Sequence, residues 1–259
     1  MQETAIPEIP VALRFLKKVL PAPVMEMGRA ILRRQERGRE LKAISLSQAG
    51  QDFWVYGEVF NEATGGYFVD LGAHDGIDLS NTFLLESRYG WSGICIEANP
   101  VTFQTLRRNR VCKCVNACID RDRGTVSFAS RGMMGGIVAT DCDNSTSLKC
   151  DTIKVPTTPL AELFRELEVK SSIDYLSVDI EGAEDRALLD FPFKDYRFNC
   201  ITIERPSRSL RQVFTANEYV LIKEIPGLDC FFVHRSYLPT YGTNLLQFGK
   251  KRFTANRWR

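Results

Sequence analysis

Three observations predict an α/β fold built on a mostly parallel sheet. From Gly66 onward, strand-length apolar runs alternate with helical patterns, which implies a sheet covered by helices on both faces. The first of these runs, YFVDL (67–71), passes directly into DLGAHDG (70–76), an acid and two glycines at a strand end. The last two runs, EYVLIKEI (218–225) and CFFVHRSY (230–237), flank PGLD and read as an antiparallel hairpin at one edge.

The elements follow in order. After the strand at 67–71, a helix is expected from about Ser80 to Tyr89. GICIEA (93–98) is the second strand, and the following helix runs from Pro100 to Arg110. CVNACI (114–119) and TVSFAS (125–130) read as two more strands. The Gly-, Ser-, Asn- and Asp-rich stretch 131–151 is the longest irregular segment, of a kind that serves as a lid, a binding loop or a disordered region. IKVP and a helix at 159–169 follow, then the strand IDYLSVDI (173–180), a helix at 183–190, the strand FNCITIE (198–204) and a helix at 208–217.

Before residue 45 the pattern differs. VALRFLKKVL and VMEMGRAILRRQERGRELK are helical in period, with Lys and Arg between the apolar positions, and PAP separates them. This reads as a basic helical arm (1–45) packing on the main domain (46–240), and its amphipathic character also suits peripheral contact with an anionic membrane surface. A basic tail (241–259) closes the chain. The net charge of +2 gives no reason to expect a specific nucleic-acid partner. No apolar run reaches the ~20 residues needed to span a bilayer, and MQETAIPEIP is no signal peptide. Eight cysteines without a C-x-x-C pair, beside two histidines, argue against structural zinc and for reduced core thiols in a cytoplasmic protein.

The chemistry sits at strand ends. Ligands of an open parallel sheet bind at the carboxyl ends of its strands. At DLGAHDG, Gly72 can take a positive φ, and Ser80 can cap the next helix, whose N–H groups point back at the loop. A dinucleotide site would read G-x-G-x-x-G, but here the pattern is D-x-G-x-x-x-G. Asp70 is a poor neighbour for phosphate and a good one for an ammonium or sulfonium. Glu97, ending ICIEANP one βα unit later, can accept both hydroxyls of a ribose. The pair points to an adenosine-type cofactor, and the missing middle glycine favours the methyl donor S-adenosylmethionine over a nicotinamide dinucleotide. LSVDIEGAE (176–184) places Asp179, Glu181 and Glu184 at the end of a strand expected beside the first. Asp179 or Glu181 can serve as a general base, or Asp179, Glu181 and Glu204 can hold a divalent cation. His234, ending the last strand, is a third catalytic candidate.

SQAGQD (47–52), VDLGAHDG, SNTFLLE (80–86), GWSGICIEANP and VDIEGAE, in this order, resemble the FkbM-type methyltransferase family over about residues 45–237, with features of its Star-like branch. The resemblance implies a class I methyltransferase fold, a Rossmann-like sheet, and S-adenosylmethionine-dependent O-methylation of a hydroxyl on a sugar, glycan or related metabolite. It implies cofactor contacts at Asp70, Gly72 and Glu97, an acidic signature at Asp179 and Glu181, and closure over the cofactor by Gln48 and Asp52; Ala73, Gly76, Ser80, Ala98 and Asp179, in the same segments, are the further cofactor-binding candidates. LAELF (160–164) departs from the family's pattern, with Ala161 where an acid commonly follows the leucine. Two rival readings are a non-catalytic Star-like binding or trafficking module and a nicotinamide oxidoreductase. The acceptor, the metal dependence and the oligomeric state are not encoded in any of these motifs.

Overall fold

The computed structural model describes residues 44–145 and 150–248. The N-terminal arm up to residue 43 and the basic tail from residue 249 lie outside the described residues, as do 146–149. In chain order the strands are β1 (Tyr67–Leu71), β2 (Ser92–Glu97), β3 (Lys113–Asn116), β4 (Cys118–Ile119), β5 (Gly124–Ala129), β6 (Thr152–Thr158), β7 (Ser172–Val178), β8 (Arg197–Glu204), β9 (Tyr219–Glu224) and β10 (Asp229–His234). The helices are α1 (Gln51–Phe53), α2 (Phe83–Tyr89), α3 (Pro100–Asn109), α4 (Leu160–Glu166), α5 (Glu184–Leu188), α6 (Arg208–Ala216) and α7 (Leu238–Phe248). A π-helix, Trp54–Val59, continues α1.

Seven strands form one sheet in the order β3-β2-β1-β7-β8-β10-β9. All pairings from β3 to β8 are parallel, and β10 is antiparallel to both its neighbours. This is the mostly parallel sheet with a closing hairpin that the sequence predicts. YFVDL sits mid-sheet because it is apolar on both faces, and four of its five residues are buried. One face packs Val69, Leu71, Ile96, Leu176 and Ile201 against Phe164, Leu188 and Phe214 of the helices. The other packs Phe68, Cys95, Tyr175 and Phe231 against Trp54, Leu85 and Leu106. All eight cysteines are free, with Cys95, Cys118, Cys200 and Cys230 buried. Among the described residues no helix is long and apolar enough to cross a membrane.

The structure differs from the sequence reading in three places. CVNACI is two strands, not one. The Asn116 side chain donates to Glu97 O (2.8 Å) and Ala98 O (3.1 Å), ending the pairing with β2. The chain then leaves for a second sheet, β4-β6-β5. Helix α2 begins at Phe83 rather than Ser80, although the Ser80 hydroxyl still accepts from the Phe83 N–H at 3.1 Å. Helix α7 runs through the boundary expected at residue 240. It is tied to the π-helix by Asn244 Nδ2 donating to Val59 O at 2.7 Å.

Candidate functional site

Parallel pairing brings the ends of β1, β2, β7 and β8 to one edge of the sheet. Strand β10 runs the other way, so its first residue, Asp229, lies at this edge opposite Glu204. Its last residue, His234, pairs with Tyr219 at the opposite edge. The expectation of His234 near the cleft is therefore corrected: a hairpin reverses direction, so the end of its second strand points away. His234 Nδ1 instead bonds the Ser236 hydroxyl (2.8 Å), and burial, with Arg197 nearby, lowers its pKa.

The chain turns sharply after β1. Gly72 has φ +83°, and a Cβ there would lie 1.8 Å from the carbonyl oxygen of Asp179, so only glycine fits between β1 and the end of β7. Asp70 is buried and faces inward, and its Oδ2 accepts from the Thr82 hydroxyl at 2.6 Å. Burial raises its pKa against the opposing pull of Thr82, Arg110 and Ser177. Arg110, 5% exposed, underlies the whole turn. It donates to Glu86 (2.5 Å), Thr82 Oγ1 (3.1 Å), Gly76 O (3.3 Å) and Ser80 Oγ (3.5 Å). Asn81 Nδ2 donates to Ser177 Oγ at 3.0 Å, while Asn81 Oδ1 is buried without a partner.

Two adjoining cavities open at this edge. The smaller is lined by Glu97 and Ala98, by apolar groups including Ile96, Ile119 and Phe128, and by Cys118. The larger is lined by Gln48, Asp70, Ala73, Ser80, Asn81, Glu204 and Arg205, among others. Gly72, His74, Met133, Asp179 and Glu181 line both. The loop at 131–145 supplies part of each wall, through Met133, Met134 and Asp143.

Three expected residues are absent from both linings. His234 is one. Asp52 is another: it is wholly buried, and its carboxylate accepts from Ser45 Oγ (2.5 Å), Ser47 Oγ (2.5 Å) and the Leu46 N–H (2.9 Å), so it ties down the segment before α1 instead of facing the cavity. Gly76 is the third, packed against Leu106 and Arg110.

The electrostatics are dominated by carboxylates. Glu97 Oε2 accepts from the His74 N–H (3.0 Å) and Oε1 from the Asn99 N–H (2.7 Å). Burial outweighs these bonds and raises its pKa to about 7. Burial, then Glu204 and Glu181, push Asp179 well above the usual carboxylate range. Glu181 rises to about 7 through burial and then Glu204. Asp229 rises through burial, opposed by the amide of Gln51, which donates to it at 2.6 Å. The carboxylates that come together as a trio are Asp143, Glu181 and Glu204, within 4.8 Å of one another, with Asp143 in the place expected for Asp179. They offer three oxygens to a cation, in competition with Arg205, whose guanidinium bonds Asp143 and also Glu204 (2.8 Å).

Backbone strain gathers here too. Eight non-glycine residues among those described have positive φ, and four of them, His74, Leu79, Glu181 and Arg205, line the larger cavity. Each such residue costs roughly 1–3 kcal/mol and persists where surrounding structure enforces it, as at functional sites.

Sequence reasoning missed Asn81, Arg110, Asp143 and Asp229. Asn81 lies within SNTFLLE, but the orientation of its amide, with Oδ1 left unpaired, depends on Ser177, a residue 96 positions away. Asp143 and Asp229 reach the edge through a loop and a reversed strand, which leave no local signal.

The model of the methyltransferase FkbM domain matches residues 70–223, more than half of the chain. No curated protein matches. Among solved structures, the methyltransferase FkbM from Methylobacillus flagellatus is 15% identical, with a TM-score of 0.41, over 65% of this chain and 43% of that one. The N-terminal domain of human METTL16 in complex with S-adenosylhomocysteine is 10% identical, with a TM-score of 0.39, over 71% and 68%. TrmK of M. capricolum, in complex with the same molecule, is 9% identical, with a TM-score of 0.37, over 67% and 63%. This chain thus spans less than half the length of the FkbM structure, and the three TM-scores lie below 0.5. The family rests on the sequence match, and by it the chain belongs to the FkbM-domain methyltransferases.

Proposed function

We propose that the two cavities form the active site of an S-adenosylmethionine-dependent O-methyltransferase acting on a hydroxyl of a sugar, glycan or related metabolite. The reading is supported above all by one observation: Glu97 lines one cavity, Asp70 lines the next, and Asp179 lines both. The residues suit the cofactor. The Glu97 oxygens accept backbone N–H groups, among them those of His74 and Asn99, and as a carboxylate keep acceptor capacity for a ribose hydroxyl. Ala98, Cys118, Ile119 and Phe128 offer an apolar slot beyond it. Asn81 Oδ1, buried without a partner, is an acceptor for an ammonium group. Asp70 acts at one remove, since it holds Thr82 and the turn carrying Asn81 and also supplies negative potential. When bound, S-adenosylmethionine supplies an electrophilic methyl group.

The chain does the rest by alignment and proton transfer. Asp179, at the wall common to both cavities, takes the acceptor hydroxyl's proton as the oxygen attacks. Its raised pKa makes it a stronger base than an exposed carboxylate. Glu181 and Glu204 orient the hydroxyl, and Arg205 holds Glu204 in place. Asp179→Asn should leave cofactor affinity within about threefold in calorimetry and lower turnover by ~10²-fold or more. The assay is incorporation of label from methyl-labelled cofactor into glycan and metabolite fractions. Full turnover would remove Asp179 from the chemistry, and label recovered on nitrogen would overturn O-methylation.

A further inference from the structure

Among the described residues, seven large apolar side chains are exposed, and three of them, Leu79, Met133 and Met134, line the larger cavity. Their exposures are 46%, 44% and 54%. They come from two separate loops, one after β1 and one after β5. Leu79 stands at φ +54°, a conformation that leucine adopts under strain and that Asn or Gly accepts readily. The chain thus keeps a strained, exposed leucine at a cavity mouth. The methionine turn is anchored: Asn144, 1% exposed, donates through Nδ2 to Met134 O at 3.1 Å, and its Oδ1 accepts from Arg131 at 3.2 Å. An apolar rim of this kind, over a floor bearing Asp179, Glu181 and Glu204, is unsuited to a wholly polar ligand. Asp78 and Asp143 in the same cavity, with Arg205 already bonded to two acids, disfavour an anionic one.

We propose that Leu79, Met133 and Met134 bind the apolar part of the methyl acceptor, which is an uncharged amphipathic compound: a hydroxyl-bearing head joined to an alkyl chain or hydrocarbon ring. This assignment rests on the methyl-transfer reading of the same site. The hydroxyl head reaches the acids at the strand ends, and the hydrocarbon leaves along the rim. Met133, which borders both cavities, packs where the two ligands meet.

The test uses the full chain and two probes, octyl β-D-glucoside below its micelle concentration and methyl β-D-glucoside. Binding is measured by calorimetry with and without S-adenosylhomocysteine, whose own affinity is measured separately. Wild type should bind the octyl compound at least tenfold more tightly than the methyl one. Leu79→Asn and Met134→Gln should each reduce that preference by threefold or more, and the Tm of Leu79→Asn should be unchanged or higher, because Asn relieves the backbone. Equal or undetectable binding of the two glucosides overturns the apolar rim, as does an octyl preference that survives in both variants. Failure of S-adenosylhomocysteine to bind wild type overturns the methyl-transfer reading, while the glucoside pair still decides the rim on its own.

Discussion

Glu97 is where a single residue's environment makes the sharpest demand. Its side chain is buried at the end of β2 and titrates near 7, raised chiefly by burial. A ribose diol is held best by the ionised form, in which both oxygens accept, so protonation weakens the cofactor's hold on the same oxygens. Wild-type affinity for S-adenosylmethionine should be full above pH 7 and weaken below it, approaching tenfold per pH unit. Glu97→Gln should bind ~10–100-fold more weakly at pH 8 and lose most of this pH dependence. Calorimetry between pH 5.5 and 8.5 checks both, and a flat wild-type profile would remove Glu97 from the ribose. Asp70 and Glu97 were legible because each ends an apolar run followed by a helix pattern. His234 misled for the same reason: it also ends an apolar run, but periodicity carries no information about strand direction. Asp229, its counterpart at the cleft, lies in the turn signal PGLD and reads there as a loop residue.

At the scale of elements, the βα alternation was legible because the central strands of the main sheet are apolar runs bounded by turn residues. The second sheet was not. Its strands are short or polar, β4 spans only Cys118–Ile119, and its middle strand β6 carries Pro156, which sequence rules confine to edges. Helix α7 was missed because LPTYGTNLLQF holds Pro, Gly and two threonines, and it forms through packing on the π-helix rather than through propensity. The contact between β1 and β7 makes the strongest prediction at this scale. Gly72→Ala meets both a left-handed backbone and the Asp179 carbonyl, whereas Gly65→Ala meets a left-handed backbone (φ +75°) with nothing within 4 Å. Denaturant titration should show a loss of about 1–2 kcal/mol for Gly65→Ala. Gly72→Ala should lose a further ~2–3 kcal/mol from the overlap. Equal losses would mean that β7 yields freely at Asp179, and the shared wall of the two cavities would not be rigid.

The molecule as a whole places half of its strained non-glycine residues and several of its buried acids at one edge of the sheet, and this should register in its stability. Glu97 and Glu184 are both buried, and each titrates near 7 in the fold against 4.5 as the ordinary value. Glu184 accepts from the N–H groups of Ile180 (3.0 Å) and Gly182 (3.4 Å), yet burial outweighs both bonds. Between pH 4.5 and 7 the folded chain therefore binds protons that the unfolded chain has released. By linkage, the contribution of these groups is fully present below 4.5 and is lost as pH rises through 7, on the order of 3 kcal/mol for each of the two. Glu181, half-buried, adds in the same direction. His234 opposes them, since its lowered pKa makes the fold release a proton that the unfolded chain keeps up to about 6.5. Exposed Glu224, whose pKa is lowered by Arg211, is ionised in both states across this range and drops out. The Tm without cofactor should thus fall between pH 5 and pH 8, and Glu184→Gln, which keeps an oxygen to accept the two N–H groups, should flatten the fall. Saturating S-adenosylmethionine should raise the Tm more at pH 8 than at pH 6, because it binds the ionised form of Glu97. A Tm that rises steadily from pH 5 to pH 8 without cofactor would mean that the acids at the strand ends are ionised and charge-compensated within the fold, and the edge would then lack the electrostatic tension that the proposed chemistry uses.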